Sequence, residues 1–259
     1  MVIAGAGKIP VRMPALFAMI RHPERGVILY DTGYHTRFYE VTSRFPYSIL
    51  KKFTPAEITE EGNADNRLKS VGVEPDEVKT IIIGHGHVDH IPGAADFPNA
   101  KIVIERREWE FMQKNPIRIF AKGYVKPLYE NLPNEIETID IEKDGVETGP
   151  FEKAVDLYGD ASMILVPLEG HTAGQMGLLL GNAGGEKYLF IGDAAWISEN
   201  YLDLKSPSML ARTILSSHAK FRKTLHLLNK FHGDYPNVRI VPSHCPDAYE
   251  KLKASGAVD

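Results

Sequence analysis

Three imidazoles and one carboxylate lie within six residues of the segment Thr80-Ile-Ile-Ile-Gly-His85-Gly-His87-Val-Asp89-His90. By chance, the pattern His-x-His-x-Asp-His would occur in about one in a thousand chains of this size, which favours a functional origin. The apolar run before it is typical of a strand that is buried on both faces. In an extended loop, residues two apart point the same way, so the first two histidines are expected to converge with Asp89 while His90 turns to a neighbouring position. The segment therefore predicts two adjacent metal positions at the end of a buried strand.

Imidazole nitrogens combined with carboxylate oxygens suit first-row metal ions, and they do not suit calcium, which prefers an all-oxygen shell. Zinc is favoured, and iron, cobalt and manganese also accept these ligands. One loop cannot complete two coordination shells, so further ligands are required at other strand ends. Three polar residues follow apolar runs in this way: His171, Asp193 and His244.

Strand-like runs rich in β-branched or aromatic residues recur along the chain, and helical patterns lie between some of them, which indicates the α/β class. Asn63 is placed to cap a helix that ends at Gly72, and a longer helix is predicted from Pro207 to Phe231. The charged stretch 105–108 is interpreted as a solvent-facing helix start. No linker of biased composition interrupts the chain, so a single domain over residues 1–259 is expected.

The composition excludes several classes of function. The chain has 30 Lys and Arg against 34 Asp and Glu, a formal net charge of -4, which disfavours binding to nucleic acid or to an anionic membrane. Its one cysteine, Cys245, cannot form an internal disulfide bond. The sequence shows neither a secretory leader nor a membrane-spanning run, so a cytoplasmic location is expected.

Four motifs occur in a fixed order: the His-x-His-x-Asp-His segment, Gly170-His171-Thr172, Gly192-Asp193 and Ser243-His244. This order resembles the dinuclear hydrolase branch of the metallo-β-lactamase superfamily. The resemblance implies a four-layer αβ/βα sandwich and a pair of divalent metal ions. It assigns His85, His87 and His171 to the first metal, Asp89, His90 and His244 to the second, and Asp193 as a bridge between both.

Asp31, in an Asp-Thr-Gly turn after another apolar run, matches an early aspartate of the superfamily. In the resembling proteins that residue supports the metal site through a ligand rather than binding the metal itself. An aspartate in a turn can also cap its own backbone without any metal nearby. Both roles are open for Asp31 at the level of the sequence.

Within the superfamily, residues 54–76 and the stretch Asp193-Ala194-Ala195 are most similar to the N-acyl homoserine lactonases. The resemblance implies attack of a metal-bridging hydroxide on a lactone or carboxylic ester, with Asp89 or Asp193 relaying the proton. Those lactonases carry a tyrosine three residues after the bridging aspartate, where this chain has Trp196. Trp196 and Tyr201 are therefore predicted to contact the small-molecule substrate.

Two other functions fit the same ligand set. Hydrolysis of a phosphodiester or phosphonate would use the same metals, with Arg212 or Lys205 as the cationic group. A non-catalytic sensor would use the metals only to bind. The apolar face of the helix predicted over residues 207–231 also suggests a homodimer.

Overall fold

The computed structural model describes residues 12–181 and 186–256. These residues divide into two compact units. The N-terminal unit comprises Phe17–Thr138, and the C-terminal unit runs from Ile139 onward and includes the segment that ends at Leu16. Both units combine strands with helices, in agreement with the predicted α/β class. The expected single domain over residues 1–259 stays a prediction.

In the N-terminal unit, the described strands form one sheet in the order β1-β2-β3-β4-β5. The first two strands pair antiparallel, whereas β2, β3 and β4 run parallel. The strands are β1 (Ala18–His22), β2 (Gly26–Tyr30), β3 (Val78–Ile83), β4 (Lys101–Glu105) and β5 (Ile136–Ile139). The helices are α1 (Arg37–Val41), α2 (Leu50–Phe53), α3 (Ala64–Ser70), α4 (Arg106–Met112) and α5 (Pro116–Phe120).

Strand β3 confirms the prediction of a strand buried on both faces. Ile81, Ile82 and Ile83 are all 0% exposed, and burial of each stabilises the unit by roughly 1.5–3 kcal/mol. Helix α3 also lies where the sequence predicts it. Asn63 precedes that helix, but its side-chain oxygen accepts from the backbone N–H of Thr36 at 3.0 Å instead of capping the helix.

In the C-terminal unit, the described strands form a second sheet in the order β11-β10-β9-β8-β7-β6. Strands β10 and β11 are parallel and the other neighbours are antiparallel. The strands are β6 (Val146–Thr148), β7 (Phe151–Asp156), β8 (Met163–Pro167), β9 (Met176–Gly181), β10 (Lys187–Gly192) and β11 (Val238–Pro242). The helices are α6 (Ile141–Asp144), α7 (Ser198–Leu202), α8 (His218–Asp234) and α9 (Pro246–Ala254).

The predicted helix over residues 207–231 is wrong at its start, because α8 begins only at His218. Ser217 caps the helix by accepting from the backbone N–H of Lys220. The backbone N–H groups of Ser216 and Ser217 donate to the carbonyls of His171 and Gly170, which holds this part of the chain in a non-helical path. Among the described helices, none is both long and apolar enough to cross a bilayer.

Candidate metal centre

In the N-terminal unit, the candidate ligands follow the carboxyl ends of two parallel strands. Asp31 comes directly after β2, and the His-x-His-x-Asp-His loop begins two residues after β3. Because β2 and β3 are parallel neighbours, their carboxyl ends meet at one edge of the sheet. The backbone joins the two turns there: the N–H of Thr32 donates to the carbonyl of His90 at 2.7 Å.

Asp31 links the two turns with both of its carboxylate oxygens. Oδ1 accepts from the backbone N–H of Gly84 at 2.7 Å, and Oδ2 lies 2.7 Å from Nδ1 of His90. The aspartate is fully buried and has a φ of 60°, a left-handed conformation that aspartate tolerates better than most residues. Since a carboxylate accepts, His90 carries its proton on Nδ1 and presents Nε2 as a ligand atom. Asp31 therefore acts on His90 as well as on the turn.

A second contact fixes the orientation of His87. Its Nε2 lies 2.8 Å from the carbonyl oxygen of Lys122, which can only accept, so Nε2 carries the proton and Nδ1 is the ligand atom. That Nδ1 lies 3.2 Å from Nε2 of His85. The two nitrogens thus face the same point, as ligands of one metal ion would.

Asp89 departs from the extended-loop expectation. Its Oδ1 lies 3.7 Å from Nε2 of His90, the histidine that was expected to turn away from it. The reason is that the loop turns: the backbone N–H of His90 donates to the carbonyl of His87 at 3.1 Å. The result is one donor pair at His85 and His87 and a second at Asp89 and His90, the grouping that the family resemblance implies.

Residues to which the sequence assigned no role at the metal centre support this loop. Glu108 is fully buried, and its Oε1 accepts from the backbone N–H of Gly86 at 3.0 Å and from the hydroxyl of Tyr124 at 2.6 Å. The Tyr124 ring lies edge-on to His87 with centroids 4.6 Å apart. Gly123, at a φ of 92°, brings the backbone against the same imidazole.

The stretch 105–108 is therefore not a solvent-facing helix start, and that interpretation was wrong. Glu105 is also buried, and it caps helix α4 by accepting from the backbone N–H groups of Arg107 and Glu108. Burial raises the pKa of Glu105, although these hydrogen bonds and the charge of Arg107 act in the opposite direction. Two glutamates three residues apart at a strand-to-helix junction are the signal that could have indicated a cap.

In the C-terminal unit, the candidate ligands again follow strand ends at one edge. Strands β8, β10 and β11 run in the same direction and are followed by His171, Asp193 and His244 respectively. Oδ2 of Asp193 lies 3.3 Å from Nε2 of His171, and Oδ1 lies 3.1 Å from Nε2 of His244. One carboxylate thus presents a different oxygen to each imidazole, which is the geometry expected of a bridging ligand.

The orientation of His244 is set in the same way as that of His87. Its Nδ1 lies 2.7 Å from the carbonyl oxygen of Pro14, so the proton is on Nδ1 and Nε2 is available as a ligand atom. The neighbouring Cys245 is buried, with its sulfur 3.3 Å from the hydroxyl of Ser198. The donors in both units are accordingly imidazoles and carboxylates, a set whose chemistry fits zinc and similar ions.

The two predicted substrate contacts are buried. The indole N–H of Trp196 donates to Oδ2 of Asp193 at 2.8 Å. Tyr201 is 4% exposed within the hydrophobic core of the C-terminal unit, and its hydroxyl is bonded to Ser198. Burial raises the pKa of the Tyr201 hydroxyl. The role of both residues towards a substrate stays a prediction.

A separate histidine and aspartate cluster, His35, Asp65 and Asp96, lies in the N-terminal unit. Asp96 binds the guanidinium of Arg37 through both oxygens and also accepts from Nε2 of His35 at 2.9 Å. Nδ1 of His35 accepts from the backbone N–H of Arg37. The positive charge of the guanidinium would repel a metal ion at this point. The cluster is therefore a salt-bridge network that holds the turn after β2.

Comparison with known proteins places the chain in a family. The sequence model of the Metallo-beta-lactamase superfamily matches residues 13–244, so the chain belongs to that superfamily, and it is a hydrolase of the metallo-β-lactamase fold, as predicted.

Its sequence is 25% identical over 247 residues to the N-acyl homoserine lactonase AttM of Rhizobium radiobacter, covering 93% of this chain and 85% of that one. It is 28% identical over 180 residues to the N-acyl homoserine lactonase AiiA of Bacillus thuringiensis subsp. kurstaki, covering 70% and 64%. A solved N-acyl homoserine lactone hydrolase with N-hexanoyl-L-homoserine bound at its metal centre has a TM-score of 0.75 and 20% identity, over 96% of this chain and 89% of that one.

Replacement of Asp31 by asparagine tests its action on His90. The backbone N–H of Gly84 requires the amide oxygen on its side, so the amide nitrogen would face Nδ1 of His90 as a donor. The imidazole proton would then move to Nε2 and block the ligand atom. We expect the affinity for zinc, measured by competition with a chromophoric chelator, to fall by about 10- to 100-fold. Asp76→Asn, at an exposed position before β3, is the control and should leave the affinity unchanged. Equal affinities of the two variants would show that Asp31 serves only the turn.

Proposed function

We propose that the chain is a dinuclear metallohydrolase that opens the ring of a lactone or cleaves a related carboxylic ester. The ligands would be His85, His87, Asp89 and His90 of the N-terminal unit with His171, Asp193 and His244 of the C-terminal unit. The observation that carries the proposal is the paired geometry of these donors: two adjacent pairs in one unit, and a carboxylate between two imidazoles in the other. The AttM and AiiA relatives, named as lactonases, support the substrate class.

When bound, a metal pair lowers the pKa of a water molecule and polarises a carbonyl group. The protein's own contribution is to fix the donors before the metals arrive. Asp31, the carbonyl of Lys122 and the carbonyl of Pro14 set the tautomers of His90, His87 and His244. An acceptor holds each of these imidazoles through the nitrogen that does not face the metal position. The site therefore loses little conformational entropy when a metal ion binds.

Asp89 is the carboxylate best placed to relay a proton. It is 13% exposed at the side chain, whereas Asp193 is 6% exposed and accepts a hydrogen bond from Trp196. A carboxylate that is partly open to solvent can exchange a proton with water more readily than one that is more deeply buried. We infer that Asp89 takes the proton of the attacking water and passes it to the leaving oxygen.

Zinc is the metal we propose for the pair, because the candidate donors are imidazoles and carboxylates, which suit zinc. A small-molecule substrate, a homodimer and a cytoplasmic location likewise stay predictions. The phosphodiester alternative is not favoured by the two cations named for it. Lys205 pairs with Asp203 at 2.6 Å, and Arg212 donates to the carbonyl of Pro207 at 2.9 Å.

The test uses protein whose metal content has been quantified, and two substrates. Hydrolysis of a long-chain N-acyl homoserine lactone is measured by proton release, and hydrolysis of bis(p-nitrophenyl) phosphate is measured by absorbance. The wild-type protein is expected to hold two metal ions and to open the lactone. His87→Ala should lower kcat/KM on the lactone by about 10³-fold or more, since it removes a ligand. His226→Ala, which replaces an exposed histidine on α8, is the matched control and should leave kcat/KM on the lactone unchanged.

Three outcomes would contradict the proposal. Activity on the phosphodiester alone would assign the protein to a phosphodiesterase branch. Bound metal without hydrolysis of either substrate would favour a sensor. A protein that binds no metal would overturn the ligand assignment itself.

A further inference from the structure

Trp196 stands at the position where the resembling lactonases carry a tyrosine, and its polar group is already engaged. Nε1 donates to Oδ2 of Asp193 at 2.8 Å, and the residue is 7% exposed. An indole offers one N–H donor and no acceptor. The hydrogen bond to Asp193 therefore uses the entire polar capacity of this side chain, which leaves it no donor for a substrate carbonyl.

The partner of this hydrogen bond is a carboxylate that faces two imidazoles. Oδ1 of Asp193 lies towards His244 and Oδ2 towards His171. The torsion that rotates a carboxylate is soft, so its two oxygens need an external contact to stay aligned with two separate ligands. The indole supplies that contact on the His171 side, through a hydrogen bond that the carboxylate charge strengthens.

Trp196 is itself held on several sides. Its backbone N–H donates to Oδ1 of Asn200 at 3.1 Å, and Asn200 is fully buried and donates to the carbonyl of Lys205 at 2.8 Å. The indole ring lies edge-on to the His171 ring with centroids 5.7 Å apart, and 6.3 Å from the ring of Phe221 in α8. A donor whose own position is fixed by packing can fix the group that it contacts.

We propose that Trp196 is a positioning residue, whose indole N–H locks the rotation of the Asp193 carboxylate and thereby sets the metal affinity of the site. This role replaces the contact with a substrate that the sequence predicts for Trp196. The proposal rests on the proposed function only in requiring that Asp193 is a metal ligand. It does not depend on the identity of the lactone or ester.

The first test is Trp196→Phe, which keeps an aromatic ring near His171 and Phe221 and removes the N–H. The zinc affinity, measured by competition with a chromophoric chelator, is expected to fall by about 10- to 100-fold. At saturating zinc, KM for the lactone should stay within about twofold of wild type, because no substrate contact is lost. Trp109→Phe is the matched control: it changes the chain's other tryptophan, which packs in the N-terminal unit, and should leave the zinc affinity unchanged.

A second variant separates the hydrogen bond from the shape of the ring. In the Trp109→Phe background, Trp196 is replaced biosynthetically by benzothienylalanine, which has nearly the same outline with sulfur in place of the N–H. The same loss of zinc affinity is expected, with an unchanged melting temperature of the metal-free protein. This variant keeps the test valid even where phenylalanine leaves a gap in the packing.

The outcomes are distinct. Unchanged zinc affinity in both variants would overturn the positioning role. A raised KM at saturating zinc with unchanged affinity would instead assign Trp196 to the substrate, which also overturns the proposal. A wild-type protein that binds zinc but opens no lactone would contradict the proposed function and leave the affinity comparison valid.

Discussion

Replacement of Gly170 by alanine is expected to lower the free energy of unfolding by about 4 kcal/mol. Gly170 has a φ of 129°, which L-residues rarely adopt, and a Cβ there would lie 2.2 Å from the backbone nitrogen of Phe221 and 2.3 Å from its Cα. These are backbone atoms of α8, which packs into the core of the C-terminal unit through Phe221, so no side chain can rotate away. Urea denaturation of the metal-free protein measures the loss.

The matched control is Gly159→Ala. Gly159 also has a positive φ, 75°, but a Cβ there would meet nothing within 4 Å. This variant should cost only about 1 kcal/mol, the conformational penalty without the clash. Equal destabilisation of the two variants would show that α8 can move away from Gly170.

The position of Gly170 also explains why the effect should reach the metal centre. Its carbonyl accepts from the backbone N–H of Ser217 and from the hydroxyl of Ser216, and the next residue is the candidate ligand His171. The loop of His171 and the start of α8 are therefore one hydrogen-bonded unit. We expect the alanine variant to lose zinc affinity in proportion to the displacement of this loop.

Much of the fold and most of the candidate ligands could be predicted from the sequence because their signals are local. The run Ile81-Ile82-Ile83 has no polar position, which is typical of a strand buried on both faces. Parallel strands bring their carboxyl ends to one edge, so polar residues after apolar runs, such as His171 and His244, are natural candidates for one site in each unit.

What the sequence could not predict depends on contacts between distant residues. The start of α8 is fixed by hydrogen bonds from Ser216 and Ser217 to residues more than 40 positions earlier. The buried position of Glu108 depends on Gly86 and Tyr124, which no local pattern connects. The pairing of Asp89 with His90 follows from a turn of the backbone. The alternating pattern of an extended loop does not predict such a turn.

Replacement of Asp193 by asparagine is expected to impair metal binding and hydrolysis severely, although the shape of the side chain hardly changes. The amide is almost isosteric with the carboxylate, and its oxygen can still accept from Trp196, but it carries no negative charge and offers one acceptor atom instead of two. One of the two imidazoles that face Asp193 would then meet an amide N–H₂ group. We expect loss of at least one metal ion per chain by elemental analysis and a fall in kcat/KM of about 10³-fold or more.

Asp203→Asn is the control, since Asp203 is an exposed aspartate at the end of α7 whose partner is Lys205, and its activity should stay within about twofold of wild type. An Asp193→Asn protein that kept two metals and full activity would show that the carboxylate charge is not required, and the bridging assignment would fail. Because the asparagine can keep the hydrogen bond from Trp196, it isolates the charge of the carboxylate. Because Trp196→Phe keeps the charge, it isolates the orientation, so the two variants together separate what the bridging ligand contributes as an anion from what it contributes by its alignment.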